Sequence, residues 1–282
     1  MNTSQRETAN DHVAPPEAWS EIAEGYDLYV APQEADLAEE ALRLVGLRAN
    51  QRFLDVAAGT GGLSLPAARM GAHVLATDWS SAMIERFEGR VRAEGLRAAE
   101  GRVMDCHSLD PPNDGFDVVG SLFGVMLVPD QATALREMVR VTRPGGRVVV
   151  IAYGAPPQLE FLQVFLGALK AVVPEFPGLP DDPPQLEFQV SDPELLRERL
   201  AEAGLKDVRV ERTAERPAFT TGQEMWDWVL YGNPIPGMLL SEFSKDQRQR
   251  IRLVLDGMIR ERADINGKTV LTNLVNIGIG MK

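Results

Sequence analysis

The chain has 282 residues, with 29 Lys and Arg against 41 Asp and Glu, a formal charge of −12. That surplus of acid opposes contact with a phosphate backbone or an anionic bilayer, so neither nucleic acid nor membrane insertion is expected of it. The only cysteine, Cys106, excludes an intramolecular disulfide. With no leader-like N-terminus and no apolar run of membrane-spanning length, a cytoplasmic protein is expected.

Residues 1–18 are polar and unpatterned, His12 included, and read as a mobile tail. Residues 19–282 then suit one domain. Over 32–47 the positions Ala38, Ala41, Leu42 and Val45 recur at helical spacing and make one apolar face. Next, residues 53–56 read as an apolar strand that stops at Ala57-Ala58-Gly59-Thr60-Gly61-Gly62, with a helix over 63–70. Glycines in such a turn can take φ > 0, and the helix start offers unpaired N–H groups to an anionic group. The turn only partly matches the dinucleotide fingerprint, because Ser64 stands where that pattern wants Gly or Ala.

Strands are predicted at 74–77, 98–104, 116–122 and 147–152, with helices over 80–91 and 131–141. This alternation argues for a parallel sheet with helices on both faces. Asp55, Asp78 and Asp105 fall at the ends of three successive strands, which delivers three carboxylates to one sheet edge. Ahead of the fifth strand, Arg143-Pro144-Gly145-Gly146 fits a type II turn, with Pro and Gly at its central positions.

Beyond Tyr153 the pattern changes. An apolar helical stripe over 156–173 and a proline-rich stretch over 174–184 read as a lid element and its hinge, an insertion near 155–190. Ser191-Asp192-Pro193-Glu194 reads as a capping-box start to a helix stopping at Gly204, with a strand over 208–212. A second insertion, near 219–268, holds Trp226, Trp228 and Tyr231, a break at Pro234 and Pro236, and a helix over 244–262 opened by Ser244 and Gln247; a last strand spans 269–280.

With these motifs the sequence resembles the class I S-adenosylmethionine-dependent methyltransferases, in the small-molecule branch of the ubiquinone and menaquinone C-methyltransferases. The resemblance covers roughly residues 19–282 and is tightest over 55–150. It implies a Rossmann-like seven-stranded sheet, mostly parallel, with a C-terminal antiparallel hairpin, helices on both faces and helical cap insertions. It also implies S-adenosylmethionine as cofactor, S-adenosylhomocysteine as product, a small-molecule partner and no metal. Trp19, Ala23, Tyr26 and Asp27 match the N-terminal segment that folds over the cofactor, with the Tyr26 hydroxyl near the methionine carboxylate or its ring simply packing a helix. Asp78 suits the ribose diol, since one carboxylate can accept two hydroxyls; the alternative is an N-cap for the following helix. Asp105 suits the adenine amine, with the Cys106 N–H facing the ring, or else only turns the chain. Asp55 orders the glycine turn or receives the methionine ammonium, Gly59 and Gly61 shape the approach, and Trp79 and Met83 supply apolar walls. Ala57 replaces a common glycine and is expected at a backbone conformation an L-residue accepts freely.

The fourth strand's end, from Ser121 onward, faces the transferring methyl in that family. Many relatives carry a histidine where Leu127 stands. No base is therefore assigned, and His107 and Tyr26 are the remaining catalytic candidates. Phe123, Met126, Tyr153, Phe161, Phe165, Trp226 and Tyr231 are the expected walls of a pocket for a largely apolar or aromatic acceptor. Two other classes stay open. A noncatalytic S-adenosylmethionine-binding scaffold or sensor would keep the same binding residues; a nicotinamide oxidoreductase would leave Asp105 unexplained. The acceptor atom, the pathway and the oligomeric state are not legible.

Overall fold

The computed structural model describes residues 14–179 and 184–282. Most of the expected tail, and four residues of the expected hinge, lie outside them. The tail is shorter than its expected end at residue 18: helix α1 already begins at Pro16 (Pro16–Gly25), because proline suits a first helical turn. A π-turn (Tyr26–Val30) and a 3-10 turn (Ala31–Glu34) lead into α2 (Ala35–Val45), which buries Ala38, Ala41, Leu42 and Val45 as their spacing predicts.

The alternation follows: β1 (Arg52–Val56), α3 (Ser64–Arg69), β2 (His73–Asp78), α4 (Ser81–Glu94), β3 (Ala99–Val103), β4 (Phe116–Leu122), α5 (Gln131–Val141) and β5 (Thr142–Tyr153). β1, β2 and β4 are almost wholly buried. Parallel strands covered on both faces read as continuous apolar runs, and these do. α6 (Glu160–Val172) and α7 (Pro193–Glu202) precede β6 (Lys206–Glu215); β7 (Ala218–Phe219), α8 (Gly222–Gly232), α9 (Pro234–Ser241), α10 (Lys245–Glu261), β8 (Thr269–Val270) and β9 (Asn273–Met281) complete the chain.

Seven strands form one sheet in the order β3-β2-β1-β4-β5-β9-β6. β1 to β5 pair in parallel, and β9 runs antiparallel between β5 and β6. This is the implied Rossmann-like sheet. Gly145 sits at φ 72, as a type II turn requires.

Three local expectations are corrected. The last strand divides: β8 leaves the sheet and pairs with β7 in a separate ribbon, and only β9 joins the main sheet. Pro234 starts a helix instead of merely breaking one, with the Asn233 side chain accepting from the Ile235 N–H. At α7 the cap is Asp192, whose carboxylate accepts from the Glu194 and Leu195 N–H groups, while the Ser191 hydroxyl bonds back to the Phe188 carbonyl. At α10 the expected capping box of Ser244 and Gln247 is present.

Two large clusters make up most of the apolar interior, with two smaller ones around Phe87 and around Leu159 and Phe188. One large cluster fills the sheet and its covering helices. The other large one gathers α6, α8, α9 and α10 around Phe165, Met225, Trp228 and Leu255 into a helical cap. The described residues include no helix long and apolar enough to cross a membrane.

Candidate active site

A cavity opens where the carboxyl ends of β1, β2 and β4 meet the cap, the usual ligand position in an open α/β sheet. Measured out to its mouth it encloses about 1500 Å³.

Its sheet side is built from the glycine turn and the strand ends. Gly59 and Gly61 take φ 54 and 101. The Gly59 N–H donates to Asp78 Oδ2 at 2.9 Å and the Ser80 N–H to Asp78 Oδ1 at 2.9 Å, so Asp78 ties the turn to β2. The N-cap of α4 is Ser80, not Asp78. Each Asp78 oxygen keeps a second lone pair for a ligand. Burial raises the Asp78 carboxyl above its ordinary value against the pull of those N–H groups. Asp55, almost fully buried, accepts the Ser64 hydroxyl on Oδ2 at 2.7 Å, while its Oδ1 is buried without a partner. Burial pushes its carboxyl up to about 7. Ser64 thus departs from the dinucleotide pattern because it holds this carboxylate.

Ala57 contradicts the expectation of a relaxed backbone: it stands at φ 53, and Phe123 beside it at φ 57. A Cβ on Gly124 would come within 2.5 Å of the Ala57 Cβ. Two L-residues are therefore held left-handed in the cavity wall by close packing, which stores strain at the site.

Of the residues expected at a cofactor, Tyr26, Asp55, Ala57, Gly59, Asp78, Trp79 and Met83 line the cavity. The others do not. Gly61 turns the chain against Phe87. The buried Ser121 hydroxyl accepts from the Val125 N–H. Asp105 lies two residues beyond β3, exposed and outside the cavity lining, with His107 Nδ1 at 2.7 Å from its Oδ1. His107, like Asp105, is not among the residues that line the cavity. The Cys106 side chain is buried, which pushes its thiol up to about 12. Tyr26 covers the glycine turn, but its hydroxyl donates to the Glu34 carboxylate at 3.0 Å.

On the acceptor side Phe123, Met126, Tyr153, Phe161 and Phe165 line the cavity, and so does Leu127. Phe123 and Tyr153 stack with centroids 4.3 Å apart. Trp226 and Tyr231 are elsewhere. Trp226 faces the outer side of the cap under Arg252. Tyr231 stacks on Tyr29 and lies so close to α1 that a Cβ on Gly25 would sit 2.2 Å from its ring. Trp228, two residues from Trp226 and so on a different face of α8, is the wall residue.

Two buried acids and one half-buried one escaped the sequence reading. Glu34 continues the apolar face of α2 one turn back from Ala38, a misplaced charge that could have flagged it; burial and the nearby Glu215 push its carboxyl up to about 8. Glu215 lies beyond the expected end of its strand, accepts from Asn273 at 3.0 Å and Tyr153 at 3.3 Å, and is pushed by burial to about 7. Glu187 lines the cavity from a 3-10 turn (Leu186–Phe188) in the proline-rich insertion, where no periodicity marks it.

Sheet order and strand-end cavity together define a nucleotide-binding α/β protein closed by a helical cap. A family model described as a methyltransferase domain matches residues 53–146. An uncharacterised protein of Mycobacterium tuberculosis is 38% identical over 128 residues, which are 45% of this chain and 46% of that protein. The chain thus spans about half the length of that curated relative. A demethylmenaquinone methyltransferase of Streptomyces avermitilis is 36% identical over 160 residues, 55% of this chain and 67% of that protein. Among solved structures, the YcgJ protein from Bacillus subtilis matches with TM-score 0.58 over 87% of this chain and 97% of its own, at 18% identity, a likeness of fold. The chain belongs to the class I S-adenosylmethionine-dependent methyltransferases and is similar, within them, to the menaquinone methyltransferases.

Proposed function

We propose that the protein transfers a methyl group from S-adenosylmethionine to a small, largely apolar or aromatic molecule. The observation that carries this is the pairing, in one cavity, of two braced carboxylates at adjacent strand ends with an aromatic chamber under the cap. The residues present fit the cofactor: Asp55 Oδ1, a buried acceptor without a partner, suits the ammonium, and Asp78 suits the ribose diol. Trp79 and Met83 give the flat apolar surfaces that an adenosyl group needs. When bound, S-adenosylmethionine supplies a methyl group already activated by a cationic sulfur.

The chain's own task is then alignment and exclusion of water. Phe123, Tyr153 and Phe161 stack in sequence along the chamber and fix an aromatic acceptor by its faces, while α8 and α9 close the outer side. Leu127 stands in the wall where a histidine would offer a base, so in-line displacement here rests on positioning. Purified protein incubated with labelled S-adenosylmethionine and a cell extract should yield a labelled small molecule by mass spectrometry. Binding of S-adenosylhomocysteine with no labelled product would favour a scaffold instead, and binding of NAD in its place would remove the reading.

A further inference from the structure

Four carboxylates line the cavity, Glu34, Asp55, Asp78 and Glu187, and among the described residues no Lys, Arg or His does. An anionic acceptor would find nothing there to pair with. Three of the four acids already have work: Asp55 and Asp78 belong to the cofactor side, and Glu34 accepts the Tyr26 hydroxyl. Glu187 remains. Its Oε2 is buried with no hydrogen-bond partner among the described residues.

The position of Glu187 is fixed. The side-chain N–H groups of Gln131 donate to the carbonyls of Leu186, at 3.0 Å, and of Met126, at 2.7 Å. These bonds clamp the turn that carries Glu187 to the start of α5 and to the 3-10 turn (Val125–Leu127) that follows β4. A carboxylate held in an aromatic chamber and lacking a donor costs free energy unless a ligand supplies one. Beyond Asp55 Oδ1 on the cofactor side, the unpartnered polar atom in the described wall is Trp228 Nε1, a neutral donor that suits an uncharged oxygen and cannot neutralise an anion.

Resting on the methyltransferase reading, we propose that the acceptor carries a basic nitrogen on its apolar body and that its ammonium pairs with Glu187. A protonated nitrogen has no lone pair with which to attack, so this ion pair anchors the acceptor while another of its atoms takes the methyl. Aromatic walls favour the same charge, since ring faces attract cations. Glu187 is accordingly a residue that selects substrate and has no part in the displacement itself.

Three probes of one shape test this: 1-naphthylmethylamine, 1-naphthalenemethanol and 1-naphthoate, titrated calorimetrically at neutral pH into protein saturated with S-adenosylhomocysteine. The amine should bind about tenfold more tightly than the alcohol, the margin of a charged over a neutral hydrogen bond, and the carboxylate should not bind. Glu187→Gln should bring the amine down to the alcohol's affinity while leaving the alcohol and S-adenosylhomocysteine unchanged. Equal binding of amine and carboxylate, an unchanged amine-to-alcohol ratio in Glu187→Gln, or no binding of any probe overturns the proposal. Failure of the methyltransferase reading would show separately, as absence of S-adenosylhomocysteine binding, and the ranking in cofactor-free protein would still test Glu187.

Discussion

The sheet body and the helical cap bring different polar groups to the cavity: braced carboxylates from the strand ends, a single indole N–H from α8. In the body, Asp78 is satisfied at both oxygens by backbone N–H groups, and Asp55 is held at one oxygen by Ser64. Those groups stand ready before any ligand arrives. On the acceptor side, Trp228 Nε1 in the cap and Glu187 Oε2 on the turn beside it have no partner, and in the body the second oxygen of Asp55 has none either. A rigid sheet with fixed acceptors suits one invariant ligand, whereas helices added at the rim can vary in what they leave unpaired and so choose the second ligand. The division of the apolar interior into two large clusters follows the same line.

The harshest way to break this comparison is to remove the cap's central ring. Trp228 packs edge-on against Phe161 and Phe219 and is 4% exposed. Trp228→Ala should cost about 3–5 kcal/mol of stability in chemical denaturation, the usual range for deleting a buried aromatic. Acceptor-probe affinity should fall with it, and S-adenosylhomocysteine affinity should not. A parallel loss of both would show that cap and body are one unit.

On the body side, Asp78→Ala should weaken S-adenosylhomocysteine binding about 10- to 100-fold by calorimetry, the equivalent of roughly 1.5–3 kcal/mol for charge-assisted bonds. Asp105→Asn should change it less than about twofold, since an exposed carboxylate held by His107 outside the cavity carries little binding energy. Equal effects from the two substitutions would place Asp105 at the cofactor beside Asp55 and Asp78.

The acids clustered between the two regions give a pH signature. Glu34, at about 8, and Glu215, at about 7, hold protons in the folded chain over a range where the unfolded chain, near 4.5, has lost them. Stability should therefore fall as pH rises from about 5 to about 8, by at most about 1.4 kcal/mol per pH unit for each group. Thermal unfolding at pH 6 and pH 8 reads this directly. Glu34→Gln should flatten the slope, and an unchanged slope would mean that these carboxyls titrate normally. The smallest effect belongs to the strained turn: Ala57→Gly should raise stability by no more than about 1 kcal/mol, the left-handed penalty less the added chain entropy of glycine. A clear loss of stability would mean that the Ala57 methyl contributes more by packing than its backbone costs.

Much of the body was legible because its signals are local. The strand over 116–122 and the helix over 131–141 are where periodicity puts them, and the glycine turn announces itself in four residues. The site was legible only in part. Trp226 and Trp228 are indistinguishable by composition, and about half a helical turn separates the outer face from the chamber wall. Asp105 follows its strand as its two companions do, but it lies two residues past the strand end, and its carboxylate bonds to His107. Glu215 and Glu187 sit where a sequence shows only a strand end and a proline-rich loop.

The order of short apolar runs, turns and caps determined the sheet, its parallel direction and the acids at the tips of β1 and β2, because each depends on neighbours within a few residues. Tertiary structure alone decided which aromatic rings face the chamber, which carboxylates are buried without a cation beside them, and that two alanine-sized and larger residues are bent left-handed in its wall. Those outcomes depend on segments far apart in the chain, such as residue 34 beside 215 and residue 131 clamping 186, whose approach no local pattern encodes.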